Sequence, residues 1–407
     1  MPNFISIEIL QFLSIPLIAG LVGWATNWLA IQLTFYPINF LGFKPWLGWQ
    51  GIIPSKAKKM ATICVDSILS KIGTVSEIVD QMDPQIIAQH VLDDLNPRIE
   101  EIVDEVMCKR HRTIWLNLPK AIRKIAYQRI EQKLPATIQQ LADEIQPKID
   151  TLFDLKQMVV EQLEKDKTLL NKVFQECGKQ EFRFIITSGL WMGFLFGLPQ
   201  LLLWYLFPLP WVLPACGFLV GWLTNWVALN MIFRPVRAKK VLGIEIQGLF
   251  LRRQKEVSST FCSIITQDVI TVEKVVKAMI GGPHSERTRA IIQKHFHELV
   301  DEAAGIIKPI TQLAIGVDGF ADLKSETGAK AIQLSHETLH DPLFNQERAK
   351  VVKTIMTERM QQLPPEDFQN LLRPCFQEDE IKLIAIGGVL GACAGLGQLV
   401  FVFGLPL

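Results

Sequence analysis

Four long stretches of this 407-residue chain contain no charged residue, although charged residues make up 20 % of the whole. Apolar and polar stretches are therefore segregated along the chain. An excess of one charge sign is also missing. The net charge is +1, which removes the global basic field that a nucleic-acid binder displays. The seven cysteines form no CxxC pair and keep no regular spacing, and Cys216 and Cys393 sit inside apolar runs. That pattern excludes a disulfide framework and indicates a reducing compartment. Strand-like alternation of useful length is absent, so no sheet is expected. No catalytic constellation stands out, so neither an enzymatic activity nor a cofactor is expected.

What is present is apolar. Hydrophobic residues reach 49 % and mean hydropathy is +0.23. A bilayer-spanning helix needs roughly 20 mostly apolar residues. Four runs qualify, at about 10–35, 184–207, 211–233 and 383–403. The first has no basic segment before it and no small-residue cleavage site after it, so it is expected to be retained rather than removed as a signal peptide.

The first run also recurs. GWATNWLAIQLTFYP begins at Gly23 and GWLTNWVALNMIFRP begins at Gly221, an offset of 221 − 23 = 198. Gln50-Gly51 answers Gln247-Gly248, and Thr74-Val75 answers Thr271-Val272. Near the far ends, Gly193-FLF-Gly197-LPQL answers Gly391-ACA-Gly395-LGQL. Matches at both ends of one long period signal tandem duplication of a whole unit. The expected units are 1–207, with an insert at 37–182, and 208–407, with an insert at 235–380. Two crossings per unit return the chain to its starting side, so the repeats are parallel and both inserts share one face. Lys56, Lys58, Lys59, Lys179, Arg183, Arg234, Arg237, Lys239, Lys240 and Lys382 flank the runs on the insert side, as does Lys44. Residues 1–9, the link 208–210 and the tail after Gly404 have no Lys or Arg. By the positive-inside rule the inserts are cytoplasmic.

The paired TNW motifs, the QGIIPSKAKK stretch after the first run, the closing helix with glycines at Gly387, Gly391 and Gly395 followed by Gln398, and the segment from Phe153 to Gln200 resemble the membrane protein family called domain of unknown function 445. The resemblance covers nearly the whole first half. In the second half it is clear at the two ends and poor from about Pro283 to Pro365. The second copy also departs from the first where Leu251 replaces Pro54. The resemblance implies a bacterial inner-membrane protein with helical soluble parts, and it carries no activity.

Within the inserts, Asp83-Pro84 and Asn96-Pro97 fit the first turns of helices. Ile138, Leu141, Ile145, Ile149 and Leu152 recur at helical spacing, as do Ile122, Ile125 and Ile130. The expected class is therefore an all-α membrane protein, with four transmembrane helices and two cytoplasmic helical domains of long amphipathic helices. Packing of helix on helix is the plain reading of these apolar stripes; a groove for acyl chains is the functional one.

Inside the runs, Gly23, Asn27 and Ala30 share a helical face, as do Gly221, Asn225 and Ala228. Gly189, Gly193 and Gly197 form a second small-residue stripe, echoed by Gly387, Gly391 and Gly395, with Gln200 and Gln398 just beyond. Small residues admit close backbone approach, and an Asn can bond across the contact. The expectation is tight packing with the two Asn facing each other; a polar lining for a solute is the alternative. With no Asp, Glu, Lys or Arg in the runs, a proton relay is disfavoured. Trp24, Trp28, Trp222 and Trp226 lie on another face and suit packing or lipid contact, and Trp46 and Trp49 suit an interfacial anchor.

One motif is tempting. His336-Glu337-Thr338-Leu339-His340 matches the zinc pattern HExxH. Asp341 and Pro342 follow at once, the first half has no counterpart, and no distinct third ligand is evident beyond a conceivable Glu358. No metal site is expected there. His284, His295 and His297 read as members of solvated faces. Lys56, Lys58 and Lys59, with Arg252, Arg253 and Lys255, read as topology determinants or as ligands for anionic headgroups, and the two are compatible.

Four functions compete. The leading expectation is a non-enzymatic inner-membrane protein that organises the membrane or handles lipid through its helical domains, with membrane lipid as its partner. A scaffold or regulator for a cytoplasmic protein, or for a second copy of the chain, is the alternative. A small-solute transporter and a zinc hydrolase follow. Nucleic acid is not an expected partner.

Overall fold

The computed structural model describes residues 2–43, 47–71, 73–241, 244–305, 308–377 and 380–404. Lys44 and Trp46, assigned above to the membrane flank, lie outside them. The chain is 85 % helical. Among the described residues four helices are long and apolar enough to cross a membrane: Phe12–Phe35, Lys179–Leu206, Val212–Phe233 and Glu380–Phe401. Their 22 to 28 residues extend about 33–42 Å, more than the ~30 Å of bilayer hydrocarbon. Trp24, Trp28, Trp222 and Trp226 are exposed on their outer faces.

The chain compacts into two units, and each draws on both halves. One comprises residues 1–71, 160–261 and 357–407; the other comprises 72–159 and 262–356. These packing units differ from the sequence periods 1–207 and 208–407. The reason lies in the apolar faces of the insert helices. Leu95, Ile99, Leu134 and Ile138 from the first half are buried in one cluster with Ile292, Phe296, Leu299 and Leu334 from the second.

In the first unit the four apolar helices pack in pairs. The first and second cross at Gly23 and Gly189, and the third and fourth at Gly221 and Gly387. A Cβ at any of these four positions would overlap a backbone oxygen or an Asn amide of the facing helix. This close approach lets Asn27 Nδ2 donate to the Ile185 carbonyl at 2.7 Å. Asn225 Nδ2 donates to the Leu383 carbonyl at 2.9 Å, across the same separation of 158 residues. The two asparagines thus do not pair with each other; each is committed to the partner helix of its own half. Gln200 and Gln398 are buried at 3 % and 5 % exposure on the second and fourth helices.

Sheet does occur, contrary to expectation. Leu41–Phe43 pairs antiparallel with Leu47–Trp49, and Lys239–Val241 pairs with Ile244–Ile246. Strands of three residues are too short to display an alternating pattern. Each hairpin follows a cis proline bond, Tyr36-Pro37 or Arg234-Pro235. The matched Gln-Gly pairs close the hairpin bases. Gly51 N donates to the Pro37 carbonyl at 2.9 Å and Gln50 Nε2 to that of Ile38 at 2.7 Å; Gly248 N donates to Pro235 at 3.0 Å and Gln247 Nε2 to Val236 at 3.2 Å. Asn171 and Gln369 donate to the last carbonyls of the first and third helices, Phe35 and Phe233.

The second unit is built of helices Val75–Asp80, Pro84–Leu95, Ile99–Asn117, Lys120–Ile145, Val272–Gly281, Ser285–Ala304, Lys308–Glu337 and most of Pro342–Gln361, with shorter elements between them. Their starts follow capping chemistry. Thr74 accepts from Glu77 N, Asp83 from Ile86 N and Thr271 from Lys274 N. The matched Thr-Val pairs are thus equivalent helix caps. The Lys308–Glu337 helix is broken at Gly316, whose φ of 79° suits glycine.

Candidate functional site

Three long helices of the second unit, Lys120–Ile145, Ser285–Ala304 and Lys308–Glu337, present aliphatic side chains to one another but do not close the space between them. Two apolar clefts remain, of about 180 and 220 Å³. The first is walled by Ile138, Leu141, Val275, Met279, Ile292 and Ala331, among others. The second is walled by Ile102, Val106, Ile130, Leu299, Ala303 and Leu323, among others. Leu95, Phe296 and Leu334 line both, so the clefts share a three-residue partition. Each cleft is lined from both halves of the chain.

No described residue lining either cleft is charged. The polar ones are nearly all committed. Ser335 donates to the Ala331 carbonyl at 2.7 Å, Thr327 to Leu323 at 2.8 Å, Gln146 to Asp80 at 2.9 Å and Trp115 to Asp104 at 2.7 Å. Thr288 is the exception. It lines the first cleft with 2 % exposure, and its Oγ1 has no hydrogen-bond partner. Native cores rarely leave such an atom unpaired.

Charged networks surround the clefts. Glu144 meets Lys148 at 2.8 Å, His295 at 2.8 Å and Lys294 at 3.2 Å, and these donors lower its carboxyl pKa to about 2. His295, expected on a solvated face, is buried against Glu144 at 6 % exposure. Its neighbour in the sequence argument, His284, is exposed. Burial and the hydrogen bond to Asp104 push the Tyr127 phenol up to about 12. Burial would raise the Asp301 carboxyl, but Lys308 and Lys324 outweigh it and hold the group below its ordinary value.

The other candidates fall elsewhere. His336 and Glu337 end their helix, and His340 lies beyond it, bonded through Nδ1 to Glu273 at 2.9 Å. The two histidines therefore do not share the helical turn that HExxH chemistry requires. Among the described residues no group of three His, Cys, Asp or Glu is placed to hold a metal. Lys58, Lys59, Arg252 and Lys255 are exposed in the first unit, and Lys56 is half-buried; Lys58 lies 3.7 Å from Glu164. Arg253 leaves the headgroup set. It is buried to 16 % side-chain exposure and grips both oxygens of Glu181, at 2.7 and 2.6 Å, and Glu256 at 2.7 Å. Sequence reasoning missed this pair because Glu181 sits in the first turn of an apolar helix and its partner comes from the other half.

The cleft residues were missed for a related reason. The second-half segment is the one least like its counterpart. A signal was nonetheless present: Thr288, Ile292, Phe296, Leu299 and Ala303 fall on one helical face.

Fold and site together define a predominantly helical protein with, among the described residues, four helices apolar enough to cross a membrane and a helical unit holding two apolar clefts. Comparison with protein-family models, with curated proteins and with solved structures found no match.

Proposed function

We propose that this is a bacterial inner-membrane protein, formed by tandem duplication, whose cytoplasmic helical unit handles membrane lipid by accommodating acyl chains. The observation that carries the reading is the pair of adjoining apolar clefts at the junction of the two halves. A purely structural helical core closes to crystal-like density and leaves few voids larger than a water molecule. Here two spaces each exceed the roughly 150 Å³ of an engineered cavity that stays dry and binds benzene. The duplication has support in paired contacts: Asn27 to Ile185 and Asn225 to Leu383, or Gln50 to Ile38 and Gln247 to Val236. The orientation rests on the basic residues beside the apolar helices. The resemblance to domain of unknown function 445 agrees with the location. The described lining residues include hydroxyls but no acid–base pair to activate them, which favours binding over catalysis.

The test is lipid analysis of the purified full-length protein by native mass spectrometry. The reading predicts stoichiometric co-purified lipid, and less of it in Ala331→Trp, which fills the first cleft. A wild-type protein that emerges lipid-free and takes up none from liposomes contradicts it.

A further inference from the structure

We propose that the two clefts form one continuous site for a single long acyl chain bearing an uncharged carbonyl, with that carbonyl bound by the hydroxyl of Thr288. The inference rests on the lipid-handling reading and specifies its ligand.

Size comes first. A cavity of about 150 Å³ admits one benzene, so each carbon needs about 25 Å³. On that scale the 180 and 220 Å³ spaces hold about seven and about nine carbons, and about sixteen once joined. Shape agrees. One face of the Ser285–Ala304 helix runs through the whole site. Thr288 and Ile292 line the first cleft, Phe296 both, and Leu299 and Ala303 the second. From Thr288 to Ala303 that face is about 22 Å long. An acyl chain of a bilayer spans about half of the ~30 Å core, so one chain fits and a second does not. Leu95, Phe296 and Leu334 line both clefts, and the chain passes from one to the other past these three side chains.

Polarity fixes the chemical class. A buried carboxylate without a partner is strongly disfavoured, and no described residue lining either cleft is a cation. A neutral ester is thereby favoured over a fatty-acid anion at Thr288. Thr288 Oγ1 is buried and unpaired at one end of the apolar path. Its hydroxyl is free to donate to an ester carbonyl, which carries no charge. The ligand is an ester-linked acyl chain, entering so that its ester lies at Thr288 and its tail runs toward Ala303.

The experiment measures binding of methyl palmitate, methyl octanoate and the palmitate anion to the full-length protein. The protein is delipidated and held in a sterol-based detergent, which has no linear alkyl chain to compete. Methyl palmitate should bind at least about tenfold tighter than methyl octanoate and than the anion, a gap of about 1.4 kcal/mol. Thr288→Val should weaken methyl palmitate about fivefold, the loss of one neutral hydrogen bond, while melting no lower than wild type without ligand. Leu334→Trp, which plugs the partition, should weaken the long ester more than the short one. Equal binding of the two esters, preference for the anion, or an unaffected Thr288→Val each overturns the inference. If native lipid co-purifies with wild type yet no ester binds, this assignment fails and lipid handling stands. If no lipid is found at all, both fail.

Discussion

Replacing Ala331 by leucine tests whether the first cleft is open space. Ala331 is 5 % exposed and lines that cleft beside Leu334 and Ser335. The substitution adds three carbons, about 75 Å³ at the density of a benzene-filled cavity, against the 180 Å³ present. In an already packed core such an insertion costs about 1–3 kcal/mol through strained rotamers. In an open apolar cleft the same carbons are buried without displacing anything, at about 0.8 kcal/mol each, so the gain is about 2 kcal/mol. The two outcomes differ in sign. The assay is thermal unfolding of the delipidated protein followed by circular dichroism. At about 2–4 °C per kcal/mol for a unit of this size, Ala331→Leu should raise the melting midpoint by about 4–8 °C. The same variant, once lipid is restored, should lose part of the stabilisation that lipid gives wild type, because ligand and leucine compete for one space. A fall in the midpoint of the delipidated variant refutes the description of the cleft as accessible volume.

Further perturbations address other parts of the molecule. Arg253→Met leaves Glu181 buried without its partner, which should cost about 3–5 kcal/mol; adding Glu181→Gln should recover much of that, and a lack of recovery in a double-mutant cycle contradicts the pairing. Gly189→Leu forces apart two helices whose backbones touch, and should abolish the folded detergent-soluble protein, as should Gly387→Leu; normal yields of either refute the close crossing. The Glu144 carboxyl is held near 2 by Lys148, His295 and Lys294, below its ordinary 4.5. Its contribution to stability is therefore complete above pH 4.5 and is lost as pH falls toward 2. Glu144→Gln should accordingly melt lower than wild type at neutral pH, and the difference should vanish through that acidic window; a pH-independent difference rejects the assignment.

Several features were legible in the residues because they depend on local chemistry. The four apolar helices follow from length and lack of charge. The helix start at Asp83-Pro84 follows from carboxylate and proline placement, whereas Thr74 and Thr271 stand out in the sequence only as matched positions. The paired glycines followed from spacing, although their consequence for the asparagines did not. Nothing in the spacing of Asn27 and Asn225 reveals that an absent side chain at Gly189 or Gly387 directs each amide to a carbonyl of its own pair. The strand pairs Leu41–Phe43 with Leu47–Trp49 and Lys239–Val241 with Ile244–Ile246 escaped notice because three-residue strands carry no period. What stayed hidden longest was the partnership of the two inserts. Leu95 and Phe296 are apolar residues on separate amphipathic helices, and each fits a self-contained bundle equally well. Only their burial in one cluster reveals that neither half covers its own apolar face, and the clefts exist because the two halves meet imperfectly there. His295 and Arg253 misled for the same reason, since their carboxylate partners come from the opposite half.

The central claim is that the helical unit, and not just the four apolar helices, receives an acyl chain. Photocrosslinking tests it most directly. A phospholipid with a diazirine near the end of one acyl chain is supplied to membranes containing the full-length protein, irradiated, and the labelled peptides are mapped. The account predicts labels on the cleft walls, at residues such as Ile130, Leu299, Ala303 and Leu323, and their loss in Leu334→Trp. Labels confined to the four apolar helices, unchanged by that substitution, would contradict it.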